Sequence, residues 1–131
     1  MKIITKKLVL KGGKKIQGTN EQEVIENFGI FLRGLEKQGP IGHIVLESDG
    51  YIGGEFDPAH QNMGYGSIVI DAVADLAEGM GLDPQLIINA GNKDAIKDAS
   101  EAGFVKDHPH CVPCEYVYKR PKEDTAGAAR V

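Results

Sequence analysis

One stretch constrains this chain more than any other: Asp57 to Ser67, D-P-A-H-Q-N-M-G-Y-G-S. It follows a short apolar run, Tyr51 to Phe56, and opens into a helical pattern. Glycines at a strand-to-helix junction allow tight turns and let a ligand approach the backbone closely. A helix N-terminus offers unpaired N–H groups and the positive end of a dipole, so such a junction suits phosphate. The Gly64-x-Gly66 pair alone is a weak sign. The rest of the chain must decide what it means.

The 131 residues predict one domain with a real core, and 41% hydrophobic with 26% charged residues is an ordinary globular composition. A net charge of -4 argues against holding nucleic acid by general electrostatics. No apolar run approaches the roughly 20 residues of a membrane span, and Met1-Lys2-Ile3 does not begin a signal peptide. Two cysteines, Cys111 and Cys114, are too few for a disulfide framework, which predicts a cytoplasmic protein.

Along the chain, Lys2 to Leu10 reads as a strand, Lys11-Gly12-Gly13-Lys14 as a turn and Lys15-Ile16-Gln17 as a short return strand. The lysines here read as a solvated edge rather than an anion patch. Thr19 to Gln22 matches a capping box, and Val24, Phe28, Phe31, Leu32 and Leu35 follow at helical spacing, so a helix is predicted up to Gly39-Pro40. Gly29 and Gly34 weaken it and allow a kink or a split into two short helices. Next come a strand at His43–Ser48, a two-residue hairpin turn at Asp49-Gly50 and a return strand at Tyr51–Phe56. Gly53-Gly54 suggests a bulge or a close backbone approach.

From Ser67, the spacing of Val69, Val73, Leu76, Ala77 and Met80 predicts an amphipathic helix, with Asp71, Asp75 and Glu78 on its other face and Gly81 as its stop. Gln85–Asn89 is a buried-type strand, so strand, helix and strand form a βαβ unit whose strands should be parallel. Ligands collect at the carboxyl ends of such strands, where Asp57 to Gly66 sits. Asn92 is a good N-cap for a second helix, with Asp94 in its first turn. That helix closes at Gly103; Phe104-Val105 enters a strand, Asp107–Pro113 reads as a loop, Glu115–Lys119 as a last strand and Pro121–Val131 as a tail.

These residues resemble the GNAT superfamily of acyl-CoA-dependent N-acetyltransferases. Gln61-Asn62-Met63-Gly64-Tyr65-Gly66 matches that superfamily's Q/R-x-x-G-x-G/A loop, with Pro58 upstream. Asn92, Ala95, Ile96, Gly103 and Phe104 match its N-x-x-A-(I/V) landmark and the G-F that ends the following helix. The landmarks stand in order, about 25 residues apart, and the match covers roughly Tyr51 to Phe104. The resemblance implies an α/β (α+β) GNAT fold: a mixed, mostly antiparallel sheet with a central parallel βαβ unit and a splayed fourth strand. Residues 1–120 would form one acyl-CoA N-acyltransferase-like domain and 121–131 a flexible tail. Family members usually begin with a strand and two helices; here a lysine-rich hairpin and one helical stretch are read, which leaves the acceptor site undefined.

The activity implied is acetyl transfer from acetyl-CoA to an unidentified primary amine, on a small molecule or a peptide; a homodimer is compatible with the family, whereas nucleic acid and membrane partners are not expected. Backbone N–H groups of Asn62, Met63, Gly64, Tyr65, Gly66 and Ser67 would cradle the pyrophosphate, with Gln61 in the loop. Phe56 and Asp57 would pair with the pantetheine arm, and Asn92 would help position it. The amine must lose a proton, and Glu55 is the first candidate base, with Glu47 and His60 in reserve. Many members place a tyrosine seven residues after the asparagine to protonate the leaving thiolate; here that residue is Ala99, and Tyr116, Tyr118 or Cys111 are candidate substitutes. A catalytically weak CoA-binding or regulatory module is therefore the alternative reading.

His108-Pro109-His110-Cys111-Val112-Pro113-Cys114 carries two histidines and two cysteines, residue types that zinc prefers. Structural zinc sites usually draw ligands from two separated segments, and no second pair exists, so a plain loop is expected and no metal, ahead of zinc and of a Cys-x-x-Cys redox pair. A small zinc-binding interaction protein is the third reading.

Overall fold

The structure is a computed structural model that describes residues 1–13, 24–110 and 114–121. The capping box at Thr19–Gln22, the return strand at Lys15–Gln17, Cys111 and the tail from Lys122 lie outside the described residues.

The chain begins β1 (Lys2–Ile4), β2 (Leu8–Gly12), β3 (Val24–Leu32), β4 (Gly42–Glu47) and β5 (Ile52–Phe56), an antiparallel sheet whose spatial order follows the sequence. The first turn falls at Thr5–Lys7 rather than at the glycines. Thr5 Oγ1 closes it by donating to Leu8 O (3.0 Å) and accepting from Leu8 N (2.9 Å). Gly12 stays within β2, where a side chain would press on the Met1 carbonyl.

The largest correction concerns residues 24–35. They contain no α-helix; Val24–Leu32 is a nine-residue strand between β2 and β4. Val24 and Phe28 are four apart, a spacing shared by one helix face and one strand face, and Ile30 completes the buried even-numbered set. Phe31, which the helical stripe had placed in the core, points to the other side, beneath Lys11 Nζ at 4.9 Å. Position 29 touches the Phe31 ring and Pro40, so Gly29 serves packing rather than a kink.

The β4–β5 turn has three residues, Ser48 to Gly50, with Gly50 at φ +93° and Asp49 Oδ1 accepting from Tyr51 N (2.9 Å). The register from Gly42↔Phe56 to Leu46↔Ile52 is unbroken, so Gly53-Gly54 is not a bulge. A Cβ at Gly54 would overlap the His43 carbonyl, and one at Gly53 would lie 2.7 Å from Tyr51 Oη. The close approach that these glycines permit is by β4 and by a neighbouring ring.

After a 3₁₀ turn at Pro58–His60 comes α1 (Tyr65–Gly79), which lays Val69, Val73, Ala74 and Ala77 in the core. Then follow β6 (Gln85–Asn89), α2 (Lys93–Glu101), β7 (Val105–Pro109) and β8 (Glu115–Lys119). These last three strands form a second antiparallel sheet in the order β6-β8-β7. Strand β7 runs through part of the expected 107–113 loop; its place at the sheet edge tolerates Pro109.

The fold is the expected mixed α and β one, but its parallel element is minimal. Tyr51, just before β5, meets Gln85 of β6 at a single parallel bridge. Gln85 N donates to Gly50 O (3.0 Å) and Gln85 Nε2 to Asp49 O (3.1 Å). Beyond that point the strands separate into two sheets. At the junction a side chain on Gly50 would overlap the Asp83 carbonyl, so glycine lets the two sheets meet there.

Candidate functional site

Where β5 and β6 diverge, a cavity of about 250 Å³ opens between them. Its walls are Tyr51 and β5 from Ile52 to Phe56, β6 from Leu86 to Asn89, the first turns of α1 through Gly66, Val69 and Ile70, and the N-cap Asn92 with Ala95 and Asp98 of α2. Two separated strands leave backbone N–H and C=O groups facing the gap, the arrangement that accepts an extended ligand as an added strand.

The glycine-rich loop sits at one end. Gln61 Nε2 donates to Phe56 O (3.0 Å), tying the loop back to the end of β5. Asn62 and Gly64 adopt left-handed φ values of +63° and +79°, and Ser67 Oγ donates to Gly64 O (3.2 Å). These turns leave the first N–H groups of α1 without intrahelical partners, and no side chain caps them. A Cβ on Gly64 would meet nothing within 4 Å. An open, uncapped helix start of this kind fits a phosphate group. Met63 is exposed, the Tyr65 ring lies tilted against Phe56 with centroids 6.2 Å apart, and Asp57 N donates to Ile41 O (2.8 Å).

Of the residues singled out from sequence, Glu55, Phe56, Gly66 and Asn92 line the cavity. Asn92 Oδ1 also accepts from Ala95 N (3.2 Å), so N-cap and cavity wall are one residue. Glu55 is exposed and stands opposite His43 in the β4–β5 register; His43 lines the same cavity. Glu47 lies apart from the lining and is 4% exposed. His60 Nδ1 is buried without a hydrogen-bond partner among the described residues. Tyr116 lies on β8 with Lys106 Nζ 4.2 Å above its ring, away from the cavity, and Tyr118 is in the core. Ala99 is fully buried.

Three titratable lining residues, His43, Tyr51 and Asp98, carry no sequence signal that marks them as site candidates. His43 is found only through its pairing with Glu55. Tyr51 curls over Gly53, where the missing side chain two residues on leaves room for its ring. Burial, aided by the charges of Glu47, Glu115 and Asp49, holds its phenol above the ordinary pKa. Asp98 reaches from α2 to the first turn of α1, and its carboxylate fills the space that a side chain at Gly66 would need. Burial first, then Glu101 and Asp94, raise its pKa above the usual aspartate value, against the opposing pull of Lys97.

The His108–Cys114 segment divides. His108 Nδ1 lies 2.6 Å from Asp107 and His110 Nδ1 3.3 Å from Glu115, while Cys114 has a left-handed φ of +69°. Among the described residues, no group of three His, Cys, Asp or Glu side chains could hold a metal ion, and no helix is long and apolar enough to cross a membrane.

The family profile described as FR47-like protein matches residues 27–112. No curated protein matches the sequence. An acetyltransferase (GNAT family) from Bacillus anthracis is similar in structure, with a TM-score of 0.60 and 24% identity over 71% of this chain and 64% of that one. An acetyltransferase from Agrobacterium tumefaciens str. C58 aligns with a TM-score of 0.70 and 17% identity over 93% and 95% of the two chains. An aminoglycoside acetyltransferase, AAC(6')-Ib, solved with coenzyme A and kanamycin, aligns with a TM-score of 0.62 and 18% identity over 81% and 71%. The chain thus spans 64% of the Bacillus anthracis protein's length.

Proposed function

The chain belongs to the FR47-like family, within the GNAT superfamily, and from that membership we propose that it is an acetyl-CoA-dependent N-acetyltransferase acting on a primary amine. The observation that carries this reading is the cavity between β5 and β6 opening beside the uncapped first turn of α1. One end suits a pyrophosphate; the gap suits an extended arm.

In this reading the N–H groups from Asn62 to Ser67 hold the pyrophosphate, and Gln61 keeps their loop against β5. The free edge of β5 pairs with the pantetheine arm, with Asn92 on the far wall. Bound acetyl-CoA supplies an acetyl group on a thiol leaving group. Glu55 takes the proton that the acceptor ammonium must lose, with His43 beside it across the strand pair. The wall formed by α2 offers no hydroxyl at Ala99, so the thiolate leaves unaided, as a thiol of pKa about 8.5 can. The acceptor is an amine of unassigned identity, and the cysteine content favours a cytoplasmic setting.

A second reading, a CoA-binding module with weak catalysis, draws on Ala99. One pair of measurements separates the two. Acetyl-CoA at a hundred times its Kd should stabilise the fold by about 2.7 kcal/mol and raise Tm. No rise in Tm would remove both readings. Given a rise, thiol release over a panel of primary amines, kanamycin included, identifies an enzyme, and its absence across the panel favours the module.

A further inference from the structure

None of the residues from Asn62 to Ser67 is acidic, yet a carboxylate stands against them. Asp98 lines the cavity, and its side chain occupies the space beside Gly66, in the first turn of α1. It accepts no hydrogen bond and forms no ion pair with any described residue. The charges that face it offer little relief. On its own helix, Asp94 and Glu101 repel it and Lys97 opposes them weakly. The first turn of α1 carries no acidic residue, and Asp71, further along, is held by Arg120. Glu55 of β5 and His43 of β4 share the cavity, and β6 contributes only uncharged residues.

An anion that binds the free N–H groups of this turn must sit close to the Asp98 carboxylate. Two like charges at close range in a partly desolvated site cannot both persist cheaply; one takes a proton. A pyrophosphate diester stays ionised at neutral pH, so the carboxyl is the group that yields.

Building on the acyl-CoA reading, we infer that Asp98 binds the cofactor as a neutral carboxylic acid, taking up a proton as the pyrophosphate enters the α1 cradle. Its raised pKa in the free protein already leans toward that form. The linkage has a definite sign. The bound protein holds its proton to higher pH than the free protein, so affinity rises as pH falls between the two pKa values and levels off outside them. Asparagine in its place removes both the repulsion and the proton.

The test needs no acceptor. Calorimetric titration with 3′-dephospho-CoA, in buffers of different ionisation enthalpy at several pH values from about 4.5 to about 7.5, reads protons taken up per ligand bound; this probe lacks the phosphate monoester, which itself titrates near pH 6. Wild type should take up protons, and Asp98→Asn should take up none while binding roughly tenfold more tightly near pH 7.5, the equivalent of one pKa unit of repulsion removed. Equal proton uptake by the two proteins, or weaker binding by the variant, overturns the inference. If the variant does not fold, wild type alone decides: an affinity that stays flat from about pH 8 down to the ordinary aspartate range near pH 4 excludes a linked carboxyl. Failure of wild type to bind at all would instead bring down the acyl-CoA reading, and this inference with it.

Discussion

At the scale of single residues, the site rests on what glycine omits. Gly64 sits at φ +79°, a left-handed conformation that costs most other residues about 1–2 kcal/mol, and its missing side chain would project into open space at the cradle. Gly64→Val should therefore lower stability by about 2 kcal/mol, the cost of a β-branched residue in that conformation, while acetyl-CoA affinity collapses. Wild-type affinity in that variant would rule out the cradle. Asp98 makes a prediction for the free protein too. Its folded pKa lies above the unfolded value of about 3.9, so the folded state releases its proton at higher pH and stability declines as pH rises through that interval. Above the folded pKa the whole penalty is present. Asp98→Asn should melt above wild type at pH 7, and the gain should vanish below the ordinary aspartate range. An identical melting temperature at both pH values would contradict it.

Among elements, the end of β8 and helix α1 are joined by one side chain. Arg120 is 13% exposed; Nη1 donates to Asp75 (2.8 Å) and Glu78 (3.1 Å), Nη2 to Asp71, and Nε to Ala102 O (3.2 Å), with the guanidinium 5.8 Å from the Phe104 ring. Burial disfavours the charge, but the bond to Asp75 and the fields of Glu78, Asp75 and Asp71 outweigh it and raise the pKa. Three carboxylates that the helical pattern presents as a solvated face are thus the clasp that fixes the last strand. Because those carboxylates are exposed, each pair contributes little; the bond to the buried end of α2 and the packing on Phe104 contribute more. Arg120→Ala should cost about 2 kcal/mol, seen as a lower urea midpoint with an unchanged slope. No change in midpoint would show that the clasp adds nothing. Pairing between elements also decides the conformation of residues 24–35. Residues 24–35 satisfied a helical template because a four-residue spacing fits both periods, and only the partners β2 and β4 made Val24–Leu32 a strand.

At the scale of the whole molecule, the two sheets matter more than any element. A single bridge at Tyr51 and Gln85 joins them, and their divergence creates the cavity. The sequence foresaw strand, helix and strand from Tyr51 to Asn89. It did not foresee how short their parallel contact would be, since nothing local records where two strands part. No α-helix precedes α1 among the described residues, so on the described part of the five-stranded sheet the face carrying Val9 and Phe31 has no helix partner.

What the sequence determined by itself was local. The glycine turn, the long helix after it, the N-cap at Asn92 and the hairpin feeding the cavity all follow from turn chemistry and short-range periodicity, interactions that span only a few residues. Tertiary structure decided the rest: the strand at 24–32, the two sheets, His43 facing Glu55, Asp98 against Gly66, and Arg120 across α1. Each depends on groups far apart in the chain. Their pairing is settled by which surfaces can bury together, and no window of sequence contains both partners.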